Sequence, residues 1–284
     1  MRGTEGQPER TDVRKELQRK KEALERYMKN LPEGPVMVAF SGGVDSSLLL
    51  AAACRAAEGR PVYAATVHTS LHPVEDMGVA ERVAKELGAR HLVVEIDELK
   101  SAGIADNPPD RCYRCKKLLF ESLLDFAEKN GLKTAADGTN FDDLSEYRPG
   151  LRALKELGIH SPLAEAGLTK EEVRRLAAEY GLRVSRKPSS PCMATRLPYG
   201  DRLTPEKLHQ AAVGEALLKQ MGFPVNRVRI HGNLARVEIP KGEFSRFLEQ
   251  AEEITAELKA LGILYVTLDL QGFRSGSMDE ALKR

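Results

Sequence analysis

The most constraining feature of this sequence is an apolar strand that runs through a glycine turn into a helix. Residues 36–40 are uniformly apolar, Ser41-Gly42-Gly43 interrupts them, and an apolar helical pattern follows to Ala53. This order directs unpaired N–H groups and the positive end of the helix at one point, where they favour an anion. Gly42 and Gly43 allow the backbone to approach that anion closely. We therefore predict a phosphate-binding loop at residues 41–47, called the phosphate loop below.

Polar side chains in and beside the phosphate loop extend this prediction. Ser41, Ser46 and Ser47 supply hydroxyl donors, and Asp45 can hold a metal ion or steer an amide. Ala39 belongs to the strand that leads into the loop and is included in the predicted nucleotide site. The Gly-Lys-Ser/Thr ending of a Walker loop is missing, so the loop is of another class. The alternative is an ordinary turn into a helix.

Strands and helices alternate along the first half of the chain. The predicted elements are strands at 36–40, 61–67, 91–96 and 133–137, with helices at 46–58, 73–88 and 113–130. This pattern is typical of an α/β fold with a doubly wound parallel sheet, which binds ligands at the carboxyl ends of its strands. Thr66, Asp137 and Gly138 fall at such ends, and we expect them to line the nucleotide pocket. His68 is also at a strand end, where a pocket-lining role and a structural role are both open.

The sequence pattern changes near residue 202. Beyond it we predict a small α+β unit made of helix 205–221, strands 227–230 and 235–239, helix 241–262 and strand 264–270. His231-Gly232-Asn233 between two strands is typical of a hairpin turn. The predicted organisation is an N-terminal helix within 1–30, an α/β domain at 31–202, and a C-terminal domain at 203–284 for substrate binding or oligomerisation.

Composition limits the environment and the partners. Charged residues make up 30% of the chain and the formal net charge is +1, so there is no overall basic field of the kind that nucleic-acid binding favours. No apolar run approaches the roughly 20 residues of a membrane span, and residues 1–30 contain no apolar signal core. We expect a cytoplasmic protein with neither a membrane nor a nucleic-acid partner.

Three of the four cysteines fall in segments that favour metal or redox chemistry. Cys112 and Cys115 form a Cys-x-x-Cys pair where a helix begins, beside basic residues that favour thiolates, and Cys192 lies in a proline-bounded loop. Cys54 lies among alanines in a helix, where a buried inert thiol is expected. Zinc, a redox disulfide, iron–sulfur ligation and three uncoupled thiols all remain open. Three cysteines suit a [4Fe–4S] cluster with one open iron that could hold a further sulfur.

Several segments together resemble one known family. They are residues 41–46, 107–116, 137–140, 191–200 and 269–277. The first resembles the SGGxDS signature of the PP-loop ATP pyrophosphatases, which split ATP to AMP and pyrophosphate. The segments around Cys192 and Arg274 resemble one branch of that superfamily, the LarE family of ATP-dependent sulfur transferases in nickel-pincer nucleotide synthesis. The resemblance extends from about residue 15 to the C-terminus.

The resemblance implies a specific reaction. LarE-like enzymes adenylate the carboxylates of pyridinium-3,5-biscarboxylic acid mononucleotide, and sulfur then replaces AMP to give thiocarboxylates that later bind nickel. It implies ATP and Mg²⁺ as cofactors, this mononucleotide and an unidentified sulfur donor as partners, and a homo-oligomer. It also implies that the region 31–202 is a PP-loop ATP pyrophosphatase domain.

The cysteines imply two versions of the sulfur step. In one subgroup the cysteine matching Cys192 is sacrificed and becomes dehydroalanine. This chain also carries Cys112 and Cys115, and so it resembles the three-cysteine members, in which a [4Fe–4S] cluster carries the sulfur. The predicted catalytic residues are therefore Cys112, Cys115, Cys192 and Asp45, and the three cysteines are the predicted metal ligands.

Four arginines are candidate clamps for the phosphate and carboxylates of the substrate, because a guanidinium pairs oxyanions in a fixed fork. They are Arg196, Arg227, Arg229 and Arg274. Arg227 and Arg229 alternate on a predicted strand and so share one face. Glu238 is expected to orient an arginine or bind a metal ion. Surface salt bridges are the alternative for each arginine.

Other function classes make different demands. A PP-loop tRNA thiolase shares the adenylation chemistry but needs a basic surface or an RNA-binding module. An amidotransferase-type synthetase needs an ammonia source. A non-catalytic nucleotide or iron–sulfur binding protein would use the phosphate loop only to bind, and release of pyrophosphate with the pyridinium substrate would distinguish it from an enzyme.

Overall fold

The computed structural model describes residues 8–69, 71, 75–132, 134–145, 149–187, 191–274 and 276–282. The first residues of the predicted helix 73–88 and strand 133–137 therefore lie outside the described residues, as does Ser275 of the family-like segment 269–277. The backbone contacts divide the chain into two compact units. The first comprises Met1–His68, Val74–Ile96 and Cys112–Ser190, and the second comprises Thr69–Pro73, Asp97–Arg111 and Pro191–Arg284. The predicted domain boundary near residue 202 remains a prediction.

A four-stranded parallel sheet forms the centre of the first unit, with the strand order β3-β2-β1-β4. The strands are β1 (Val36–Ala39), β2 (Val62–His68), β3 (Arg90–Glu95) and β4 (Thr134–Ala136). The longer helices are α1 (Pro8–Lys29), α2 (Val44–Ala56), α3 (Glu75–Glu86), α5 (Arg111–Lys129), α6 (Gly150–Glu156) and α8 (Lys170–Glu179). Shorter turns of helix are α4 (Glu98–Ser101), assigned to the second unit, and α7 (Pro162–Glu165). The predicted α/β class and parallel sheet are confirmed.

Alternation along β1 explains why helices cover both faces of this sheet. Val36 and Val38 belong to one apolar cluster, with residues of α1, α2, α3 and α8. Met37, between them, belongs to a second cluster with residues of α5 and α6. Successive side chains of a strand point to opposite faces, so one apolar strand contributes to two cores. The loops after β1 and β4 leave the same edge of the sheet, because these strands are parallel neighbours.

The second unit contains a three-stranded sheet in the order β5-β6-β7. Its C-terminal elements are α9 (Pro205–Gln220), β5 (Arg227–His231), β6 (Leu234–Glu238), α10 (Phe244–Glu249), α11 (Ala251–Ala260) and β7 (Tyr265–Leu268). β5 and β6 are antiparallel and form the predicted hairpin, with Gly232 at a φ of 60° in its turn. β7 pairs with β6 in parallel.

One helix prediction is wrong. The region 241–262 is divided into a 3₁₀ turn at Lys241–Glu243 and two helices that meet at Gln250. The break allows Phe247 to pack edge-on against Phe223, with 5.3 Å between ring centroids, while Ile254 and Leu258 are also buried. Within the described residues, no helix is long and apolar enough to cross a membrane.

Candidate active site

The phosphate loop leads from β1 into the first turn of α2. Gly42 has a φ of 67°, a conformation that favours glycine, and a Cβ there would make a tight contact of 3.2 Å with the backbone of Ala80. Gly43 is the N-cap and offers no side-chain cap, so the N–H groups of the first turn have no intrahelical partner. The Ser46 hydroxyl accepts a hydrogen bond from Ser41 N at 3.3 Å and donates to Gly43 O. The phosphate loop is thus held by hydrogen bonds between its own residues, and it presents backbone N–H groups as donors.

Asp45 in this first turn is held by two residues that are distant in sequence. One oxygen of Asp45 forms an ion pair with Lys170 Nζ, and the other accepts a hydrogen bond from Asn140 Nδ2 at 3.2 Å. Lys170 and Asp45 remain partly accessible, with 35% and 22% of their side-chain surfaces exposed. Lys170 is the first residue of α8, and its N–H donates to Asp142 Oδ2 at 2.8 Å. A carboxylate and an ammonium group are thus in contact at the phosphate loop.

The loop after β4 lies directly against α2. A Cβ on Gly138 would approach Ser46 N to 2.9 Å, so only glycine fits there. The preceding Asp137 is buried and accepts hydrogen bonds from Thr139 Oγ1 at 2.6 Å and Ser161 Oγ at 2.7 Å. Asp137 also forms an ion pair of 3.4 Å with Lys116, which follows Cys115 on α5. Asp137 therefore fixes the end of β4 and connects it to the helix of the cysteine pair.

The remaining predicted residues of the nucleotide pocket lie in or beside the central strands. Ala39 ends β1 and pairs with Ala65 of β2. Thr66 is buried, and its hydroxyl contacts His91 Nε2 at 2.8 Å, while burial lowers the pKa of His91. His68 ends β2, and its carbonyl accepts a hydrogen bond from Ile96 N. Ser47 is fully buried, and its hydroxyl has no hydrogen-bond partner among the described residues.

The cysteines fall in different places. Cys112 is exposed and Cys115 is half-buried, and both lie near the N-terminus of α5 in the first unit. Cys192 belongs to the second unit. Cys54 lies in α2 among apolar neighbours, and burial raises the pKa of its thiol. Among the described residues, no group of three or more His, Cys, Asp or Glu side chains is placed to hold a metal ion. The three-cysteine ligand set, whose members belong to two different units, remains a prediction.

Arg196 holds the segment that carries Cys192. It is buried and forms a double hydrogen bond with Glu215, with Nε to Oε1 at 2.7 Å and Nη2 to Oε2 at 2.9 Å. Its Nη1 donates to Pro191 O at 3.1 Å, Cys192 O at 3.3 Å and Thr195 Oγ1 at 2.9 Å. In this arrangement the guanidinium fixes the backbone next to the thiol, and its predicted contact with substrate remains a prediction.

A second buried pair lies on β5 and β6. Arg229 donates to both oxygens of Glu238, at 3.2 and 3.0 Å, and Glu238 has no exposed surface. Ser277 Oγ donates to Glu238 at 2.7 Å and accepts from Arg229 at 3.1 Å. Arg229 also donates to Thr195 O at 2.8 Å, in the Cys192 segment. Glu238 thus orients an arginine, which is one of the two roles considered for it.

Arg227 and Arg274 are less enclosed. Arg227 lies with its guanidinium 5.2 Å from the ring centre of Phe273 and donates to Asn226 O at 2.7 Å. Burial and the positive charges of Arg196 and Arg229 lower the pKa of Arg227, although a guanidinium remains a cation at neutral pH. The hydrogen bonds that Arg274 donates to Glu280 raise the pKa of Arg274, which also donates to Asp269 at 3.2 Å.

Sequence reasoning missed Lys170 and Glu215 as partners of predicted site residues. Lys170 is the second residue of the Thr169–Glu172 capping box, and a lysine in the first turn of a helix does not by itself indicate a binding site. Glu215 lies on α9, separated by 19 residues from the arginine that it binds. Neither pairing has a local sequence signal.

Comparison with known proteins identifies the family. The asparagine synthase family model matches residues 20–108, which contain the phosphate loop. A pyridinium-3,5-bisthiocarboxylic acid mononucleotide synthase of Lactiplantibacillus plantarum is 39% identical over 94% of this chain and 96% of its own length. The chain belongs to the LarE family. It is accordingly an enzyme of the PP-loop superfamily, an ATP-dependent sulfur transferase.

Two other proteins are also similar to this chain. An uncharacterized protein of Synechocystis is 37% identical over 94% of this chain and 100% of its own length. A tRNA-specific 2-thiouridylase of Rickettsia felis is 29% identical, over 56% of this chain and 53% of that protein. The tRNA-modifying enzyme is thus a more distant relative than the LarE proteins are.

Proposed function

We propose that this LarE enzyme adenylates the carboxylates of pyridinium-3,5-biscarboxylic acid mononucleotide and replaces AMP with sulfur to form thiocarboxylates. The observation that carries the adenylation step is the contact of Asp45 with Lys170 at the open N-terminus of α2. This arrangement supplies backbone donors, an ammonium group and a carboxylate at one point. Those are the groups needed to hold a pyrophosphate as it leaves the α-phosphate of ATP.

The adenylation step assigns work to each of these groups. A substrate carboxylate oxygen attacks the α-phosphorus, the bond to the bridging oxygen breaks, and pyrophosphate leaves with the electron pair. The N–H groups of the first turn of α2 and the ammonium of Lys170 neutralise the growing negative charge. Asp45, a partly exposed carboxylate beside an amide, fits Mg²⁺, which when bound would shield the phosphate oxygens.

The sulfur step follows from the reactivity of the acyl adenylate. A sulfur nucleophile attacks the acyl carbon, the carbon–oxygen bond to AMP breaks, and AMP takes the electron pair. Arg227 is the predicted clamp most available to hold a second oxyanion of the substrate, since among the described residues its side chain donates only to a backbone carbonyl, that of Asn226. Arg196 donates to the carbonyl of Cys192 and so fixes the backbone that carries this thiol.

The sulfur source distinguishes the two versions predicted from the sequence. A [4Fe–4S] cluster would need Cys112, Cys115 and Cys192 as ligands, and these cysteines belong to two different units. We therefore derive no step through a cluster. The cluster remains a prediction from the cysteine pattern, and sacrifice of Cys192 is the other version of the same reaction.

Two measurements test this proposal. The purified enzyme, given ATP, Mg²⁺ and the pyridinium substrate, is expected to release pyrophosphate and yield a product whose mass shows oxygen replaced by sulfur. Absence of pyrophosphate under these conditions would contradict the proposed substrate. Iron and acid-labile sulfide in anaerobically purified protein then separate the versions. Full activity without iron, with loss of one sulfur from Cys192 per turnover, would overturn the cluster and support sacrifice.

A further inference from the structure

In the second unit, the segment 97–111 is bonded along its length to the segment 191–203 that carries Cys192. Ala105 O accepts a hydrogen bond from Leu203 N at 2.7 Å, and the guanidinium of Arg111 lies 4.1 Å from the ring centre of Tyr199. Near the other end, Glu98 Oε1 accepts from Leu71 N at 3.0 Å, and Leu71 O accepts from Met193 N, also at 3.0 Å. The segment 97–111 therefore serves as the support on which the Cys192 segment rests.

Asn107 makes the densest set of these contacts. Its Nδ2 donates to Leu197 O at 3.1 Å and to Pro198 O at 2.7 Å, and its backbone carbonyl accepts a hydrogen bond from Gly200 N at 3.1 Å. The residue has no exposed surface. One side chain thus satisfies two successive carbonyls of a proline-containing turn, where neither carbonyl belongs to a helix or a strand.

Two features show how closely position 107 is matched to asparagine. Its φ is 48°, a left-handed conformation that asparagine tolerates better than most other residues with a side chain. Its Oδ1 is buried without a hydrogen-bond partner among the described residues, which is unfavourable by itself. The two donor contacts of the amide are therefore the reason that a polar side chain is stable here.

The opposite side of the Cys192 segment is fixed by charged groups. Arg196, itself bound to Glu215, donates to the carbonyl of Cys192, and Arg229 donates to the carbonyl of Thr195. The backbone on both sides of Thr195 is thus held from β5 and α9, while the following residues, Leu197 to Gly200, are held by Asn107. Loss of the Asn107 amide would release residues 197–200 and leave the contacts of Arg196 and Arg229 in place.

We propose that Asn107 is a positioning residue for Cys192, which it orients through the carbonyls of Leu197 and Pro198. Its role in catalysis rests on the proposed function, in which Cys192 takes part in sulfur transfer. Adenylation occurs at the phosphate loop of the first unit and does not need the contacts of Asn107. Asn107 therefore affects the sulfur step and the exposure of the Cys192 thiol, and it leaves pyrophosphate release unaffected.

Asn107→Asp tests the proposal, because it keeps the size and the left-handed backbone but replaces the NH₂ group by an oxygen that faces two carbonyls. Gln210→Glu is the matched control. Gln210 is also buried in the second unit, and its Nε2 donates to Leu261 O at 3.1 Å, a carbonyl outside the Cys192 segment. Both exchanges therefore replace a buried NH₂ group that donates to a backbone carbonyl by an oxygen.

The first readout is the rate of iodoacetamide alkylation at each cysteine, resolved by mass spectrometry of the peptides. We expect the rate at Cys192 to rise roughly tenfold in Asn107→Asp, the factor that two lost hydrogen bonds of ordinary strength produce in the population of an opened loop. The rates at Cys112 and Cys115 should stay as in the wild type, and Gln210→Glu should change the rate at Cys192 far less. Equal rates at Cys192 in the two variants would overturn the proposal.

The second readout separates the two chemical steps. In Asn107→Asp, thiocarboxylate formation should fall while pyrophosphate release and the KM for ATP stay unchanged, and an equal fall of both steps would overturn the role in catalysis. If Asn107→Asp fails to fold, Asn107→Gly keeps the backbone conformation and removes the same two donors. Alkylation needs no substrate. Failure of the wild type to release pyrophosphate would therefore refute the proposed function without deciding the placement of Cys192.

Discussion

The two units hold their charged groups in opposite ways. In the first, Asp45 and Lys170 form an ion pair that keeps about a quarter to a third of its side-chain surface in solvent. In the second unit, Arg229 and Glu238 form an ion pair with 6% and 0% of their side-chain surfaces exposed, and Ser277 donates a further hydrogen bond to Glu238. An exposed pair exchanges partners at little cost, whereas separation of a buried pair leaves an uncompensated charge in the interior.

This difference suggests a division of labour between the units. Asp45 and Lys170 can turn from each other to a metal ion and a phosphate chain without leaving a buried charge unpaired. Arg196 and Arg229 are already saturated by carboxylates and carbonyls, and they fix the backbone around Cys192. The site of the first unit is therefore built to rearrange on binding, and the site of the second is built to hold a geometry. The predictions below test this contrast, from the largest expected effect to the smallest.

Glu238→Gln should cause the largest loss. Arg229 would remain buried without its counter-charge, and we expect the free energy of unfolding to fall by about 3–5 kcal/mol. Urea denaturation followed by circular dichroism measures this. Glu280→Gln is the control, because Glu280 pairs with Arg274 at the surface and its removal should leave stability near the wild-type value. Equal effects of the two exchanges would refute the contrast between buried and exposed pairs.

Asp45→Asn should leave the fold intact and suppress pyrophosphate release by about 10²–10³-fold, because the carboxylate that would hold Mg²⁺ is lost. Single-turnover assays with radiolabelled ATP measure it. Asp125→Asn, which breaks an exposed pair with Lys129 on α5, should leave the rate unchanged. Wild-type rates in Asp45→Asn would remove Asp45 from the site, and an unfolded Asp45→Asn would show that the pair is structural.

The same contrast explains which parts of the site the sequence could predict. The phosphate loop is seven consecutive residues whose strand, turn and helix each have a local pattern, so its position followed from residues 36–53 alone. The α/β class followed from alternation of such patterns. The partners of Asp45 could not be found in this way, because Asn140 reaches it from the loop after β4 and Lys170 from the first turn of α8, separated from it by 95 and 125 residues.

The buried pairs of the second unit were less predictable still. Arg196 and Arg229 were singled out as ligand clamps, and no local pattern distinguishes an arginine that binds a substrate from one that binds a glutamate of its own chain. The division of the region 241–262 was missed for a related reason. Apolar residues continue at helical spacing through Gln250, so the periodicity does not show that one helix ends there and another begins.

Gly138→Ala probes how closely the first site is packed. The new Cβ would lie 2.9 Å from Ser46 N, a backbone atom that cannot move without α2, so we expect a loss of about 1–3 kcal/mol of stability and weaker ATP binding. Gly78→Ala is the control, since a Cβ there meets nothing within 4 Å and lies in a helix, where alanine is favoured. Calorimetry of both variants measures stability and nucleotide affinity. Unchanged ATP affinity in Gly138→Ala would show that the α2 turn tolerates displacement.

The smallest expected effect lies at the capping box that places Lys170. Burial alone would raise the pKa of Glu172, but hydrogen bonds from Lys20 and from Thr169 lower it on balance. Because the folded-state pKa is lowered, the ionised carboxylate stabilises the fold above the unfolded pKa, and this contribution is lost as pH falls through the folded value. Glu172→Gln should therefore reduce stability at pH 7 by roughly 1 kcal/mol, after allowance for screening by solvent.

Thermal denaturation from pH 7 to pH 3 measures this dependence. The difference between the wild type and Glu172→Gln should shrink below about pH 4, where the wild-type carboxyl is also becoming protonated. Glu171→Gln, in the same helical turn but exposed and paired with Arg175, should lie close to the wild type at every pH. A pH-independent deficit in Glu172→Gln would mean that packing rather than charge anchors the start of α8. The position of Lys170 beside Asp45 would then depend on the packing of α8 and not on the ionisation of Glu172.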